Sequence, residues 1–420
     1  MSDTRTNGIH IRTLDDAFRR MAALPALVCG SGIAEEYEAT LKITRLCNLN
    51  CDYCYDRRPI DDRSVPTQPS MRPELGIAIV KQLLELGTKD LTIVFHGGEP
   101  LMHFECVKAV SEFARQTSGP SRVRMTIQTN GTLLGAAQAD LFSKHGIQVG
   151  IGLDGYNDTL NRLRWGVGSD YLQRITSAIR MLKDRRVPFG FVVVASRVTA
   201  PAIEGIAEWL FTEGVSSFRL SMLEMRGAAR ERWSDLALSD DELYDMYRRL
   251  AGTLMSLNLS VPPEKRLGEM TLTAFIARLA YGRPPGCFGQ PCNAGLATAS
   301  FDTNGDVYIC ECAPKTSVFR LGNVCATPLR QLLVASNPVL QSFRQRNVET
   351  IPGCQHCQWR YVCWGGCGGQ TKAGLNSPSR YCSVYRRLCA FLCQAIVQPG
   401  AEYLIDGRTL AQLEKAGRMR

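Results

Sequence analysis

Short apolar runs rich in β-branched residues recur along the first half of the chain, separated by helical patterns. The runs predict strands over residues 39–46, 91–95, 122–131, 148–155, 188–195 and 217–223. The stretches between them predict helices over residues 74–86, 106–116, 136–145, 171–184 and 202–213. Strands that alternate with helices indicate βα units and a parallel sheet, so the pattern predicts an α/β fold with six units between Thr40 and Met222.

Polar residues lie where several of these strands end. Gln128 and Asn130 close the third predicted strand, and Asp154 closes the fourth. The second ends in His96-Gly97-Gly98-Glu99-Pro100, where adjacent glycines let a backbone edge approach a ligand closely and Glu99 offers a carboxylate. Because α/β barrels place their active sites at the carboxyl ends of strands, these positions are candidate site residues.

Three closely spaced cysteines, Cys47, Cys51 and Cys54, follow the first predicted strand. Three thiolates can hold three of the four irons of a cubane cluster and leave the fourth iron open. A zinc site normally needs a fourth ligand, and no Cys or His lies close by in sequence. A disulfide would leave one thiol odd, and nothing here suggests an oxidising compartment. The spacing therefore favours a cluster site.

The C-x3-C-x2-C spacing with Tyr53 before its last cysteine, followed by the GGEP stretch, resembles the signature of the radical S-adenosylmethionine (SAM) enzymes. The resemblance implies an open, partial (β/α)6 barrel whose first loop holds a SAM-binding [4Fe–4S] cluster. It assigns Gly97, Gly98 and Glu99 to the amino group of SAM. It further implies that the cofactor pocket is lined by Tyr53, Gln128, Asn130 and Asp154.

One position departs from the sulfatase-maturing and peptide-maturing relatives within that family. They usually carry Ser two residues before the Asp of LDG, as a contact to SAM, and here Gly152 stands there. The basic residue expected to pair with the SAM carboxylate is Arg162 or Arg164, and we select Arg162. A guanidinium suits bidentate carboxylate binding.

Cysteines crowd the C-terminal third, where 12 of the 17 fall between Cys287 and Cys393. Their order resembles the SPASM extension, a small α+β cysteine-rich domain that holds two auxiliary [4Fe–4S] clusters. Carried over by position, the first set is Cys287, Cys292, Cys310 and Cys367, and the second is Cys354, Cys357, Cys363 and Cys382. The alternative is a zinc ribbon, which pairs of this kind commonly form. The cysteines outside these sets, Cys312 among them, are interpreted as inert thiols.

Composition limits the class of protein. A chain of 420 residues with 45% hydrophobic content can bury two cores, and no apolar run approaches the length of a membrane span. The early sequence lacks a convincing signal peptide, so we expect a cytoplasmic protein. The net charge of +9 comes from scattered arginines, and no nucleic-acid-binding module is evident. An acidic leader peptide is a suitable partner for this charge.

The patterns divide the chain into five segments. They are a lead-in at 1–38, the radical SAM core at 39–235, a helical bridge at 236–285 with Ser239 as helix cap, the SPASM domain at 286–395 and a tail at 396–420. The lead-in is too short for the winged-helix module that many peptide maturases use, so a separate leader-binding protein is a possible partner.

The resemblance implies that one-electron cleavage of SAM yields a 5′-deoxyadenosyl radical, which takes a hydrogen atom from a peptide substrate. An electron donor such as flavodoxin or ferredoxin would be needed. Sulfatase-maturing relatives have an Asp base directly after the G-x4-C cysteine, where this chain has Glu311, our candidate catalytic base. We expect a ribosomal-peptide maturase that forms a carbon–carbon, ether or thioether crosslink. The alternatives are a formylglycine-generating sulfatase maturase and a non-catalytic electron-transfer protein.

Overall fold

A computed structural model of the chain describes residues 34–57, 69–117, 121–164, 170–281, 292–314, 316–334, 336–371 and 373–417. Cys287 and most of the predicted lead-in lie outside these residues. The predicted segment boundaries stay predictions.

One ten-stranded sheet organises the molecule. Its strands are β1 (Glu36–Thr44), β2 (Asp90–Gly97), β3 (Arg122–Thr129), β4 (Ile147–Gly152), β5 (Phe189–Ala195), β6 (Ser217–Met222), β7 (Gly268–Glu269), β8 (Thr298–Phe301), β9 (Asp306–Tyr308) and β10 (Arg320–Asn323). Their spatial order is β10-β9-β8-β1-β2-β3-β4-β5-β6-β7, so the sheet is open. The first seven strands pair in parallel in chain order, which confirms the predicted partial barrel.

The strands form because their apolar positions alternate. In β3, Val123, Met125 and Ile127 are buried while Arg122 and Arg124 are exposed, so one face of the strand packs into the core.

Helices cover the sheet between the strands. The helices of the barrel are α1 (Pro73–Leu84), α2 (Phe104–Thr117), α3 (Ala136–His145), α4 (Asp158–Asn161), α5 (Tyr171–Asp184), α6 (Ile203–Thr212), α7 (Ala228–Glu231) and α8 (Trp233–Leu236). The later helices are α9 (Asp240–Leu259), α10 (Met270–Tyr281), α11 (Leu329–Leu332), α12 (Pro338–Arg344), α13 (Arg360–Cys363), α14 (Cys382–Ala395) and α15 (Gly407–Gly417). The five predicted barrel helices are all present, and α3 and α5 have the predicted bounds.

The cysteine-rich region joins the barrel sheet instead of forming a separate layer. Strand β8 pairs in parallel with β1, and Ala299 and Phe301 lie opposite Ala39 and Leu41. All four side chains are fully buried. The main hydrophobic cluster of the described residues consequently runs from the barrel into the C-terminal region, and two smaller clusters lie apart from it.

The bridge helix α9 reinforces this continuity. It begins at a capping box in which Ser239 accepts a hydrogen bond from the N–H of Glu242 (3.2 Å) and the Glu242 side chain accepts one from the N–H of Ser239 (2.7 Å). The helix packs against α6 of the barrel and against α14 of the cysteine-rich region.

Candidate active site

The three barrel cysteines lie in one loop, residues 45–57, which we call the cysteine loop. Within it the N–H of Cys54 donates to the carbonyl of Cys51 (3.2 Å). The carbonyl of Cys54 accepts from the N–H of Ala228 (2.9 Å), at the start of α7. A local turn and a contact with the segment after β6 therefore hold the loop.

The thiols of Cys47, Cys51 and Cys54 interact electrostatically. Desolvation raises the pKa of the partly buried Cys51 and Cys54, to about 12 for Cys51, and it also raises the pKa of Cys47, although the Cys47 side chain remains exposed at the surface. Negative charge on Cys54 raises the pKa of Cys47 and Cys51 further, so ionised thiols here repel one another. Such a set is stable as thiolates only with a cationic centre to bind, which fits a cluster site.

Asn130 links the end of β3 to this loop. Its side-chain amide lies 3.9 Å from the Cys47 sulfur and donates to Asn48 Oδ1 at 2.9 Å. The N–H of Leu49 approaches the same sulfur at 3.4 Å. Hydrogen bonds to a thiolate favour the charged form, so Asn130 is placed to support the cluster ligand.

Gly97 and Gly98 let the end of β2 close on the beginning of the cysteine loop. A Cβ at Gly97, whose φ is +134°, would lie 2.2 Å from the carbonyl oxygen of Thr44, and one at Gly98 would lie 2.2 Å from that of Leu46. The N–H of Gly98 donates to the Thr44 carbonyl (2.7 Å). Because Gly97 and Gly98 have no side chains, the end of β2 packs directly against the backbone of the cysteine loop. The adjacent glycines in the sequence predict such a close approach to a ligand.

Glu99 is fully buried and connects β2 with β3. Its carboxylate accepts hydrogen bonds from the N–H of Leu101 (3.0 Å), the hydroxyl of Thr129 (2.7 Å) and the N–H of Asn130 (2.7 Å). Burial raises the pKa of Glu99, and these donors counter that rise. The carboxylate therefore holds the strand ends together at the predicted SAM site.

Gln128 is half-buried and pairs across the sheet with Gly150 of β4. A Cβ at Gly150 would lie 2.3 Å from the Gln128 side-chain oxygen, so the glycine leaves the space that this amide fills.

Asp154 is the centre of a buried network behind the cysteine loop. Its carboxylate accepts hydrogen bonds from the hydroxyl of Tyr53, from the Nε of Arg164 (2.9 Å) and from the N–H of Val194 (3.0 Å). The side chains of Arg164 and Asp154 are only 7% and 1% exposed. Positive charge on Arg164 also lowers the pKa of Cys51 against the rise caused by burial, so the network reaches the cluster ligands.

The structure separates the two arginine candidates. Arg162 is exposed and donates to the carbonyl of Thr159 (2.9 Å), whereas Arg164 bonds Asp154. A Cβ at Gly152 would lie 3.1 Å from a guanidinium nitrogen of Arg164. The arginine therefore borders the space that a side chain at Gly152 would enter. Arg164 replaces Arg162 as our candidate because it is the one placed within the network.

Glu311 reaches the barrel from the cysteine-rich region. Its Oε2 accepts a hydrogen bond from the hydroxyl of Ser300 (2.6 Å), and its Oε1 lies 3.5 Å from the hydroxyl of Tyr55. The same Tyr55 hydroxyl is 3.5 Å from His96 Nε2. The predicted base is thus adjacent to the cysteine loop and to the end of β2.

The groups around Glu311 have no site role predicted from the sequence. Arg226 lies 4.5 Å from the Tyr55 ring centre and pairs with Glu224 (2.5 Å). Burial opposes the charge on Arg226, but Glu224 and Tyr55 outweigh it and raise the pKa of that guanidinium. Lys42, fully buried on β1, donates to both oxygens of Asp56 (2.8 and 2.7 Å). The one signal available for Tyr55 and Asp56 is their position directly after Cys54.

The second predicted auxiliary set is brought together. Burial raises the pKa of the Cys363 thiol to about 12, and charges on Cys354, Cys357 and Cys382 raise it further. These four thiols come from α13, from the start of α14 and from the turn before α13, so the fold gathers ligands that suit one cubane.

Three of the four residues of the first predicted set lie within the described part of the chain. Charges on Cys292 and Cys310 raise the pKa of Cys367, so these three thiols are neighbours. The fourth, Cys287, lies outside the described residues.

The described residues show two further properties. No group of three or more His, Cys, Asp or Glu among them is arranged to hold a single metal ion. None of the helices they form is long and apolar enough to cross a bilayer.

Family comparisons agree with this architecture. Residues 41–210 match the radical SAM superfamily, and residues 292–358 match the SPASM iron–sulfur cluster-binding domain. The chain is a radical SAM protein with a C-terminal SPASM domain, and the cofactors of that class are SAM and [4Fe–4S] clusters. The sulfur groups described above fit three such clusters.

The similar curated proteins include sulfatase-maturating enzymes. The cysteine-type anaerobic sulfatase-maturating enzyme of Clostridium perfringens is 23% identical over 81% of this chain and 91% of that protein. The serine-type enzyme of Klebsiella pneumoniae is 26% identical over 81% of this chain and 83% of its own length. An uncharacterized protein of Methanocaldococcus jannaschii is 30% identical, and this match spans 44% of the chain and 62% of that protein, under two thirds of its length.

Solved structures share the fold. The anSMEcpe protein with bound AdoMet has a TM-score of 0.76 at 19% identity, covering 91% of this chain and 99% of its own. Streptococcus suis SuiB bound to the precursor peptide SuiA has a TM-score of 0.61 at 15% identity, covering 83% and 76%. At these identities the likeness concerns the fold alone.

Proposed function

We propose that this protein is a peptide maturase that installs an oxidative crosslink in a ribosomally made peptide. The observation that carries the proposal is the position of Glu311, which reaches from the SPASM domain to within 3.5 Å of Tyr55 on the cysteine loop. A carboxylate at this joint can take the proton that leaves the substrate as it is oxidised. It is one methylene longer than the Asp of sulfatase-maturing relatives.

The chain's own residues divide the work in this proposal. Cys47, Cys51 and Cys54 would hold the core cluster, and Asn130 would orient one of its ligands. Arg164, held by Asp154, would face the carboxylate of SAM, and the GGE stretch its amino group. When bound, the core cluster and SAM together supply hydrogen-atom abstraction. The auxiliary clusters would receive the electron that remains.

A peptide substrate is supported by the structural relatives. SuiB is similar in fold and is seen with a precursor peptide, and anSMEcpe is seen with AdoMet and a bound peptide. The net charge of +9 suits an acidic leader segment. A flavodoxin or ferredoxin as electron donor and a separate leader-binding protein complete the proposal, which places the enzyme in the cytoplasm.

The second candidate function is sulfatase maturation. The extent of the similarity to the Clostridium and Klebsiella enzymes favours it, since both alignments cover 81% of this chain. The residue at position 311 favours the crosslinking enzyme, because Glu replaces the expected Asp.

The test uses anaerobically reconstituted full-length protein with SAM, dithionite and a peptide. The candidate peptides are those encoded by short open reading frames found next to the gene, and mass spectrometry follows the product. Loss of two hydrogens with a new crosslink in tandem spectra is the expected result. Conversion of a Cys- or Ser-containing sulfatase peptide to an aldehyde, with no change in the precursor, would favour the second candidate.

Failure to form 5′-deoxyadenosine with either peptide would overturn both enzymatic proposals. It would leave a non-catalytic electron-transfer protein.

A further inference from the structure

An additional cysteine lies within the first auxiliary group. Its members Cys292, Cys310 and Cys367 are accompanied by Cys312, which sequence reasoning treats as an inert thiol. We propose that Cys312 is an iron ligand of the first auxiliary cluster, together with Cys292, Cys310 and Cys367. The proposal concerns cluster assembly and holds whichever peptide the enzyme modifies.

Contacts between sulfurs are the first support. The side chains of Cys312 and Cys367 lie close enough for their thiols to interact directly. Cys312 also acts electrostatically on Cys292, and Cys310 acts on Cys367. Cys292 and Cys367 therefore each interact with Cys312 directly, and Cys310 is connected to Cys312 through Cys367. Four neighbouring thiols match the number of protein ligands that a cubane takes.

The alternation of residues in the Cys310-Glu311-Cys312 stretch is the second support. The side chain of Glu311 points to Ser300 and Tyr55, at the proposed substrate side. The sulfurs on either side of it both act on Cys367. The stretch thus directs two thiols to the cluster and the carboxylate away from it.

Close backbone packing fixes this arrangement. A Cβ at Gly369 would lie 2.5 Å from the carbonyl oxygen of Cys312 and 3.2 Å from the Cα of Ala313. Gly369 belongs to the 3₁₀ turn Gly368–Gln370 that directly follows Cys367. The glycine lets the Cys312 backbone close on the turn after Cys367, which brings the two sulfurs together.

Buried positive charge is the third support. Arg346 is 6% exposed, and its Nε has no hydrogen-bond partner among the described residues. Its other nitrogens donate to the carbonyls of Trp364 and Gly365 (both 2.9 Å). Its charge acts on Cys292, and the charge of Arg226 acts on Cys312. Buried guanidinium groups offset the negative charge of a thiolate-bound cluster.

Ligation by Cys312 has a chemical consequence. The cluster then has four thiolates without Cys287 and no open iron for a substrate atom. Binding releases the Cys312 proton to solvent and leaves the oxidation state of the cluster unchanged. Two of its ligands, Cys310 and Cys312, then flank Glu311 in the sequence. The cluster is therefore suitably placed to accept an electron beside the proposed base.

The experiment compares four variants of the full-length protein after anaerobic reconstitution. They are Cys312→Ala, Cys312→Ser, Cys287→Ala and, as matched control, the exposed Cys325→Ala in the same region. Iron and sulfide per chain are measured, and the EPR spectra of oxidised and reduced samples are recorded. Cleavage of SAM serves as an independent check on the core cluster.

We expect Cys312→Ala to lose about four of about twelve irons, or to show the EPR signal of a three-iron cluster. Cys312→Ser, whose hydroxyl can still ligate iron, keeps the iron but shifts the EPR signal of the first auxiliary cluster. Cys287→Ala and Cys325→Ala match the unaltered protein. Full iron with an unchanged spectrum in Cys312→Ala overturns the proposal, and so does loss of iron in Cys287→Ala. If Cys312→Ala does not fold, the spectrum of Cys312→Ser decides.

Discussion

The cysteine loop of the barrel and the cysteine-rich region hold their sulfurs by different means. The loop carries its three thiols within eight consecutive positions, and Asn130 and the N–H of Leu49 approach one of them from outside. The two auxiliary groups collect thiols from separate segments between Cys292 and Cys382. There the sulfurs meet because the segments pack together.

This difference gives the two regions different tasks. The cysteine loop serves the chemistry with SAM, whereas the auxiliary clusters also hold the fold together. A loop of local turns can leave one iron open for SAM without disturbing the sheet behind it. A cluster whose ligands lie far apart in sequence instead closes long chain loops, so its binding free energy also becomes folding free energy. We therefore expect loss of the core cluster to remove activity, and loss of an auxiliary cluster to weaken the fold as well.

The largest expected effect comes from removing one thiol in each region. Cys51→Ala should abolish 5′-deoxyadenosine formation and remove about four irons, while the melting temperature changes little. Cys367→Ala, which removes a ligand of the widely spaced first auxiliary set, should also remove about four irons but lower the melting temperature clearly. SAM cleavage, iron analysis and thermal unfolding monitored by circular dichroism make the comparison. Equal destabilisation by the two variants would contradict the distinction.

The next effect concerns Glu311, which lies where the cysteine-rich region contacts the cysteine loop. Glu311→Gln should lower the rate of product formation by about 10²–10⁴-fold, the usual contribution of a general base. Formation of 5′-deoxyadenosine should continue, because the SAM site lies in the barrel. The exposed Glu349→Gln in the same region is the control. Unchanged product formation in Glu311→Gln would remove this residue from the reaction.

Local patterns were sufficient to predict much of the barrel. Alternation located β3 from Arg122, and amphipathic spacing gave both ends of α3. The pairing of β8 with β1 could not be predicted, because it joins residues more than 250 positions apart and each strand is compatible with several partners.

The residues of the site also divide into those that local patterns predict and those that depend on long-range packing. Closely spaced motifs indicated the cysteine loop and the GGE stretch. The preference for Arg164 over Arg162 depends on the burial of Asp154, and the contact between Cys312 and Cys367 depends on packing at Gly369. Neither spacing nor composition carries that information.

A smaller effect concerns the buried ion pair behind the loop. Asp154→Asn leaves the Arg164 charge buried without its partner and should destabilise the protein by about 3–5 kcal/mol. Asp170→Asn breaks an exposed, solvent-screened pair with Arg174 and should change the stability little. Urea unfolding measures both, and similar values for the two would contradict the buried network.

The smallest effects come from two glycines that perform matching tasks in the two regions. A Cβ at Gly98 would lie 2.2 Å from the Leu46 carbonyl oxygen, and one at Gly369 would lie 2.5 Å from that of Cys312. Each Gly→Ala change should cost about 1–3 kcal/mol through overpacking. Gly252→Ala is the control, because a Cβ there meets nothing within 4 Å and helix α9 gains about 1 kcal/mol from alanine.

The two Gly→Ala variants should differ in which cluster they affect. Gly98→Ala displaces the backbone beside Cys47, so it should weaken SAM binding and leave the auxiliary clusters intact. Gly369→Ala displaces the backbone of Cys312, so it should reduce loading of the first auxiliary cluster while SAM cleavage continues. EPR of the reduced proteins with and without SAM separates the two results. A shared response would mean that strain passes between the regions through β1 and β8, and that the sulfur sites are not independent.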